Sequence, residues 1–306
     1  MEKIPYHRPY PLSDIDIEFI QNNIKSILKS GQLKDFRWVP MLERDIKELY
    51  DVKYILSTSS CTQGLLICLE YIESIYPIQV SMFNWWSDLY ILNILKKKII
   101  WNDIDLQTWL PIERENRYSL YLNTFGNIGR SNSDKVIYDS SHCLGAKIDH
   151  IGLAHIFSLA PTKLVTSGEG GIIITNNKSL YDFAKEYRDK CSRMDEIRAL
   201  IGHVYFSYLE EILKWKKKVY IYYKKYIPGQ FQTIPYNSTY NTIGFLNINN
   251  LQIPSHIEFR QYYEPIWDSE IKNNTNYIYK KIICLPSFYG VDYKKIVLDI
   301  LEANNL

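Results

Sequence analysis

The order of apolar and polar positions along the chain predicts alternating strands and helices over its first two thirds. Apolar residues recur at three- and four-residue spacing, which is typical of helices with one buried face, over 13–30, 39–50, 62–75, 87–97 and 178–190. Short apolar runs predict strands at 53–57, 78–83, 98–101, 118–122, 135–138, 153–158 and 171–175. This alternation predicts an α/β domain with a mostly parallel central sheet flanked by helices.

The last third of the chain has a different pattern. One long amphipathic helix is predicted over 194–226, and the Pro228-Gly229 pair ends it. The segment that follows is mixed in type and closes with a further helix. We therefore expect a large domain over 1–195, including the N-terminal helical segment, and a smaller C-terminal α+β domain over 196–306, including the long linking helix.

Composition and charge narrow the class of protein. The 306 residues are 46% apolar, which is enough to bury a substantial core. The 36 Lys and Arg nearly balance the 34 Asp and Glu, which gives no reason to propose a nucleic-acid or membrane-surface partner. The five cysteines are odd in number and lack C-x-x-C spacing, so we expect neither a disulfide framework nor a metal site. No signal peptide or membrane span is visible, and we expect a cytoplasmic protein.

Lys163 is the first candidate for chemistry. It lies between two apolar strands and precedes a glycine-rich turn at 168–171. A lysine that loses hydration in such surroundings forms its neutral amine more easily. A Schiff base with an aldehyde cofactor requires that neutral amine. Taken alone, the segment is explained better by a loop lysine whose ammonium group lies in water.

Asp139 and His142 follow the predicted strand at 135–138. In parallel sheets this strand end faces the ligand crevice, where an ionised carboxylate can keep a pyridinium nitrogen protonated. A turn or cap aspartate explains Asp139 about equally well. His142 could bond a cofactor phenol oxygen or cover a ring face, and a polar loop histidine is nearly as good an explanation.

Two further segments predict an anion site and a ring stacker. Thr62 lies at a strand-to-helix junction, where N–H groups and the positive helix end attract anions, although an ordinary helix cap is the simpler explanation. Trp85, in the Asn84-Trp85-Trp86 sequence, could stack on a flat ring, although tandem tryptophans occur more often in cores and interfaces. Together, the four segments supply the parts of a pyridoxal-phosphate (PLP) site in one domain.

The stretches SSCTQGLLICLEYI, VIYDSSHCLGA and FSLAPTKLVTSGEGGIIITN occur in a familiar order. Over about residues 4–300 the chain resembles the DegT/DnrJ/EryC1/StrS family of PLP-dependent sugar aminotransferases. The resemblance implies the type I fold of the aspartate aminotransferases. It also implies pyridoxal 5'-phosphate as cofactor, with Lys163 as the catalytic Schiff-base lysine and Asp139 as the partner of the pyridine nitrogen. The other residues it assigns to the cofactor are Cys61, Thr62 and Ser158 at the phosphate, Trp85 (or Trp86) on the ring and His142 beside it.

The same resemblance implies the reaction and the assembly. It implies transfer of an amino group from an amino acid, L-glutamate, to a keto sugar attached to a nucleotide, for polysaccharide or natural-product biosynthesis. It also implies a homodimer with each site at the subunit interface. The candidates for substrate contact are Arg37, Arg193, Arg260 and Tyr263.

The chain departs from the family pattern in several places. Cys191 stands where the family has the Asn of an Asn-x-Arg sequence, and the segments 105–124 and 177–193 are short. These losses motivate an alternative, a non-catalytic member that serves as a binding or scaffold protein. A PLP-dependent sugar dehydratase is disfavoured because such relatives replace the lysine with histidine. A nucleotide-binding α/β protein without PLP is disfavoured because no G-x-G-x-x-G or Walker pattern occurs.

Overall fold

A central sheet organises the larger part of the protein. The computed structural model describes residues 2–112, 117–131, 133–264 and 273–306. The strands of the sheet are β1 (Tyr54–Thr58), β2 (Ile78–Ser81), β3 (Ile99–Asn102), β4 (Tyr118–Leu122), β5 (Val136–Asp139), β6 (Ala154–Ser158) and β7 (Gly171–Thr175). They lie in the order β1-β7-β6-β5-β4-β2-β3.

Strand direction in this sheet decides where a ligand site can form. Neighbouring strands from β3 through to β6 are parallel, whereas β7 is antiparallel to both of its neighbours, β6 and β1. Two reversals restore the direction, so β1 runs the same way as β6. The carboxyl ends of β1, β4, β5 and β6 therefore lie at one edge. The predicted α/β fold with a mostly parallel sheet is confirmed.

Helices cover both faces of the sheet. The helices of the described residues are α1 (Asp14–Ser30), α2 (Trp38–Lys47), α3 (Cys61–Tyr71), α4 (Trp86–Ile94), α5 (Lys178–Cys191), α6 (Glu196–Phe206), α7 (Leu209–Tyr226), α8 (Asn274–Lys281) and α9 (Tyr293–Ala303); α1 to α6 cover the large sheet. Buried side chains of α3, α4 and α5 pack on one face together with Ile156. The next strand residue, Phe157, points to the other face and packs with α1, α2 and α6. This alternation is expected of a strand buried on both sides.

The prediction of a single helix over 194–226 is wrong, because this range contains two separate helices, α6 and α7. At Ser207 both the N–H and the hydroxyl bond to the carbonyl of Val204, at 3.3 and 2.7 Å. This tight turn replaces the regular helical hydrogen bond. Tyr208 then adopts φ −98° and ψ 0°, outside the helical range. The chain thus changes direction after α6 has packed on α2, although its apolar pattern continues without a break.

The C-terminal part forms a second core around a small antiparallel sheet. Its strands are β8 (Gln230–Phe231), β9 (Ile243–Leu246) and β10 (Ile282–Leu285), in the order β10-β9-β8. Apolar residues of α7 and α9 pack together with residues of this sheet. Helix α6 contributes Ala199 and Leu200 to the core of the large sheet instead. The division at 195/196 stays a prediction.

Candidate active site

A cavity of about 320 Å³ lies where the carboxyl ends of the strands meet the C-terminal part of the chain. Its volume is within the range of small-molecule sites, roughly 300–1,000 Å³. The lining includes all seven residues that the sequence predicts for the cofactor, which are Cys61, Thr62, Trp85, Asp139, His142, Ser158 and Lys163. Tyr263, a predicted substrate contact, also lines it. The structure therefore brings together segments that are separated by up to 200 residues.

Lys163 lies in the loop that joins β6 to β7. These strands are antiparallel neighbours, and hydrogen bonds of 2.9 Å from Leu159 to Gly170 and from Ser167 to Leu159 close the loop at its base. Burial lowers the pKa of Lys163, and the nearby carboxylate of Asp139 partly opposes that shift. A lowered pKa makes the neutral amine more available, as nucleophilic attack by a lysine requires.

Asp139 ends β5 and is 3% exposed. Its Oδ1 accepts a hydrogen bond of 2.8 Å from the N–H of Ser141. The buried carboxyl group of Asp88, from the first turn of α4, is close enough to Asp139 for the two groups to affect each other's pKa. Burial raises the pKa of both groups, and Asp88 is raised well above its usual range. Two buried carboxyls in contact cannot both ionise, so Asp88 holds the proton and Asp139 carries the negative charge.

His142 presents an unused polar atom. Burial, together with Lys163 and Lys216, lowers the pKa of His142 well below its usual value, so the ring is neutral. Its Nδ1 is buried and has no hydrogen-bond partner among the described residues. Because buried polar atoms are rarely left unpaired, this nitrogen is a contact point for a bound molecule. The centroid of the His142 ring lies 6.5 Å from the centroid of the Phe125 ring.

The first turn of α3 lines the cavity together with Lys163. The Ser60 hydroxyl accepts the N–H of Gln63 at 3.2 Å. The N–H groups of Cys61 and Thr62 lie in the first turn, where a helix offers them no internal acceptor. A Cβ on Gly171 would lie 2.5 Å from the Ser60 carbonyl oxygen, so glycine is required for β7 to start there. Exposed N–H groups and the helix dipole suit a phosphate.

Aromatic side chains form one wall of the cavity. Trp85 precedes α4, and its ring lies edge-on to Tyr262 and Tyr263, with centroids 6.2 and 6.0 Å away. Trp86 also lines the cavity. Position in the fold is therefore compatible with a stacking role for either tryptophan. The neutral ring of His142 lines the same cavity as this aromatic wall.

The three arginines predicted for substrate contact lie elsewhere. Arg37 is exposed and lies 4.6 Å from the ring of Trp38. Arg193 pairs with Asp35 at 3.4 Å, and Arg260 pairs with Glu258. None of the three is among the described residues that line the cavity. Their contact with substrate stays a prediction.

Sequence reasoning missed two ionisable residues at the site, Asp88 and Lys216. An aspartate in the first turn of a helix usually indicates capping, and Lys216 lies within a run of lysines that suggests a solvated face. The buried residues of α7 around Lys216 include Ile212, Val219 and Tyr223, at helical spacing. This spacing puts Lys216 on the apolar stripe, and that signal could have identified it.

Comparison with protein families gives a match over residues 14–115 and 121–300 to the model of the DegT/DnrJ/EryC1/StrS aminotransferase family. The chain belongs to this family. A curated relative, GDP-perosamine synthase from Escherichia coli O157:H7, is 22% identical over 272 aligned residues, which cover 76% of this chain and 73% of that protein. The resemblance inferred from the sequence motifs is thus confirmed.

Solved structures give the same fold. Helicobacter pylori PseC, an aminotransferase involved in the biosynthesis of pseudoaminic acid, matches with a TM-score of 0.84 and 17% identity, and 99% of each chain is covered. DesI, solved in the presence of its TDP-sugar product, matches with a TM-score of 0.84 and 14% identity, over 100% of this chain and 94% of that one. The fold is that of the type I PLP-dependent aminotransferases.

The described residues contain neither a membrane-spanning helix nor a metal-binding cluster. Within these parts of the chain, no helix is both long and apolar enough to span a membrane. The same residues contain no group of three or more His, Cys, Asp or Glu side chains placed to hold a metal ion.

Proposed function

We propose that this aminotransferase uses pyridoxal 5'-phosphate to move an amino group from L-glutamate to a keto sugar attached to a nucleotide. The observation that carries the proposal is the shared cavity of Lys163 and Asp139 beside the first turn of α3. A lysine amine, a carboxylate and a phosphate site are the three groups that PLP requires. The family and the sugar-modifying relatives support the acceptor class.

The side chains present fit this cofactor. The N–H groups at the start of α3, with the hydroxyls of Thr62 and Ser158, suit its phosphate. The unpaired Nδ1 of His142 and the aromatic wall of Trp85 suit a flat polar ring. Bound PLP would supply an aldehyde that joins to amines and a ring that stores an electron pair.

Lys163 is the proposed anchor and proton carrier. Burial lowers its pKa and so makes the neutral amine more available. When the amino donor has displaced Lys163 from the cofactor aldehyde, the Nζ of Lys163 is free to take the proton from the donor's α-carbon. In the second half-reaction the same nitrogen returns a proton to the carbon that was the ketone of the sugar.

Asp139 and His142 determine the charge around the cofactor ring. The negative charge of Asp139 favours a proton on a ring nitrogen that faces it. The N–H of Ser141 fixes the orientation of that carboxylate. His142 stays neutral because burial and two lysines disfavour its charged form, so it adds no competing positive charge beside the ring.

The test is whether the cofactor becomes attached to Lys163. We expect the purified protein to take up PLP and turn yellow, and borohydride to remove the visible band. Mass spectrometry should then find the cofactor mass on the peptide that contains Lys163. The variant Lys163→Ala should lose the attachment and the amino transfer from L-glutamate, whereas Lys147→Ala, which removes an exposed lysine, should keep both.

Other results would favour the alternatives. A colourless protein that ignores added PLP would favour the binding or scaffold protein. Attachment without any formation of 2-oxoglutarate from L-glutamate would contradict the proposed donor. Turnover of the glutamate half-reaction without reaction of any keto sugar nucleotide would contradict the proposed acceptor.

A further inference from the structure

Lys216 is a buried cation in the wall of the active-site cavity. It belongs to α7, is 7% exposed and lines the cavity. Its Nζ donates to the main-chain oxygen of Asn241 at 2.8 Å and to the hydroxyl of Ser287 at 2.9 Å. Both partners are neutral, and both belong to the C-terminal part of the chain.

The charge of Lys216 is not compensated within the protein. Among the described residues no carboxylate forms an ion pair with it, and burial alone lowers its pKa to about 7. Lys216 lowers the pKa of two neighbouring basic groups, His7 and His142, whereas neither acidic residue of the cavity lining, Asp139 or Glu169, pairs with it. Buried charges are normally paired, since desolvation is expensive. An isolated buried ammonium is therefore best explained by an anion that arrives with the substrate.

The local donor geometry suits an oxyanion. An ammonium has three N–H donors, and Asn241 and Ser287 use two of them. Because the Ser287 hydroxyl accepts from Lys216, its own proton is free to be donated. The hydroxyl-bearing Thr242 lines the same cavity. An oxyanion at this wall could thus receive a charged hydrogen bond and one from a neighbouring hydroxyl.

We propose that Lys216 and Ser287 form the substrate's anion-binding subsite, which receives a carboxylate or phosphate oxygen. This inference rests on the proposed function and deepens it. Two sources can supply such an oxyanion, the carboxylates of the amino donor and the diphosphate of a nucleotide-linked sugar. The two substrates react in separate half-reactions, so each source can be tested by itself.

Lys216→Met tests the subsite because methionine keeps much of the length and removes the charge. Lys217→Met is the matched control, since it removes an exposed charge from the same helix. One arm measures the half-saturation concentration of L-glutamate from the loss of the visible band of the PLP-loaded protein. The other arm measures binding of GDP, UDP and TDP to the same proteins by calorimetry.

Loss of a charged hydrogen bond should weaken the affected binding by about ten- to a hundredfold. An effect in the glutamate arm identifies a carboxylate as the anion, and an effect in the nucleotide arm identifies a phosphate. Lys217→Met should change neither constant by more than about twofold. If both constants in Lys216→Met stay within twofold of the wild type, the subsite does not exist.

A second variant keeps the test decisive if Lys216→Met does not fold. Ser287→Ala removes the proposed hydroxyl donor and leaves the ammonium, so binding in the affected arm should weaken by about three- to tenfold. Unchanged binding in both arms would overturn the subsite. Borohydride attachment to Lys163 should be normal in every variant, and its loss in the wild-type protein would instead contradict the proposed function.

Discussion

Asp88 and Asp139 place two carboxyl groups side by side in the protein interior. Asp88 is fully buried, and its Oδ2 has no hydrogen-bond partner among the described residues. Asp139 raises the pKa of Asp88 further, and a proton on Asp88 removes the repulsion that a second negative charge beside Asp139 would cause. At the scale of single residues, the charge that faces the proposed cofactor is therefore set by a proton on a neighbouring helix.

This arrangement makes stability depend on pH. The pKa of Asp88 is higher in the folded protein than in the unfolded chain, so the folded state binds more protons above about pH 4. The contribution of Asp88 to the free energy of unfolding is therefore greatest at acid pH and falls as the pH rises, by at most about 1.4 kcal/mol per pH unit. Asp88→Asn keeps a hydrogen-bond donor and removes the titration.

We expect apo Asp88→Asn to melt at a higher temperature than the apo wild type at pH 8. The difference should shrink towards pH 4, where both side chains are neutral. Thermal unfolding between pH 4 and pH 8 measures it, with Asp134→Asn, at an exposed carboxylate, as control. If the melting temperatures of the wild type and Asp88→Asn change with pH in parallel, the proton is not held by Asp88.

At the scale of elements, α2 begins at a position that its own sequence does not cap. Arg37 precedes the helix and makes no side-chain capping bond. The fully buried carboxylate of Glu196, from α6, instead accepts four main-chain N–H groups, those of Phe36, Arg37, Trp38 and Val39 at 2.6–3.3 Å. A negative charge at this helix end also complements the helix dipole. Glu196 thus joins two helices that are distant in sequence.

Replacement of Glu196 by alanine should destabilise the fold strongly. Four N–H groups would lose their acceptor inside the protein, and we expect a loss of about 3 kcal/mol in the free energy of unfolding. Urea unfolding followed by circular dichroism measures this loss. Glu210→Ala removes an exposed carboxylate of the next helix, paired with Lys214, and should cost about 0.5 kcal/mol or less.

These elements also show which features of the protein can be predicted from sequence. All seven strands of the large sheet were predicted within two residues, because buried runs bounded by turns are a local signal. The turn at Ser207 was missed because the apolar pattern continues through it. Glu196 and Asp88 were missed because their partners are distant along the chain, and only the folded structure brings them together. Lys216 was missed although its position on the apolar stripe of α7 was a local signal.

At the scale of the whole molecule, α4 carries an exposed apolar stripe beside the cavity. Trp86, Tyr90 and Ile94 follow each other at four-residue spacing and are 63%, 58% and 49% exposed. Contiguous exposed apolar residues usually mark an interaction surface. The homodimer proposed from the family, with sites at the subunit interface, would cover this stripe with a second copy of the chain.

Tyr90→Arg should therefore weaken the dimer. A buried arginine without a partner is costly at an interface, so we expect a shift towards monomer of at least tenfold in the dissociation constant. Sedimentation velocity over a range of protein concentrations measures it. Ile221→Arg, at a residue of α7 that is 55% exposed, is the matched control. A wild-type protein that is monomeric at every concentration would contradict the dimer itself.

The hairpin between β6 and β7 has one more consequence. The first residue of β7, Gly171, pairs with Ser158 and also packs against Ser60. The hairpin of β6 and β7 thus positions the loop of Lys163 relative to the first turn of α3. An inserted residue between 160 and 163 should therefore move the Lys163 amine relative to that helix turn.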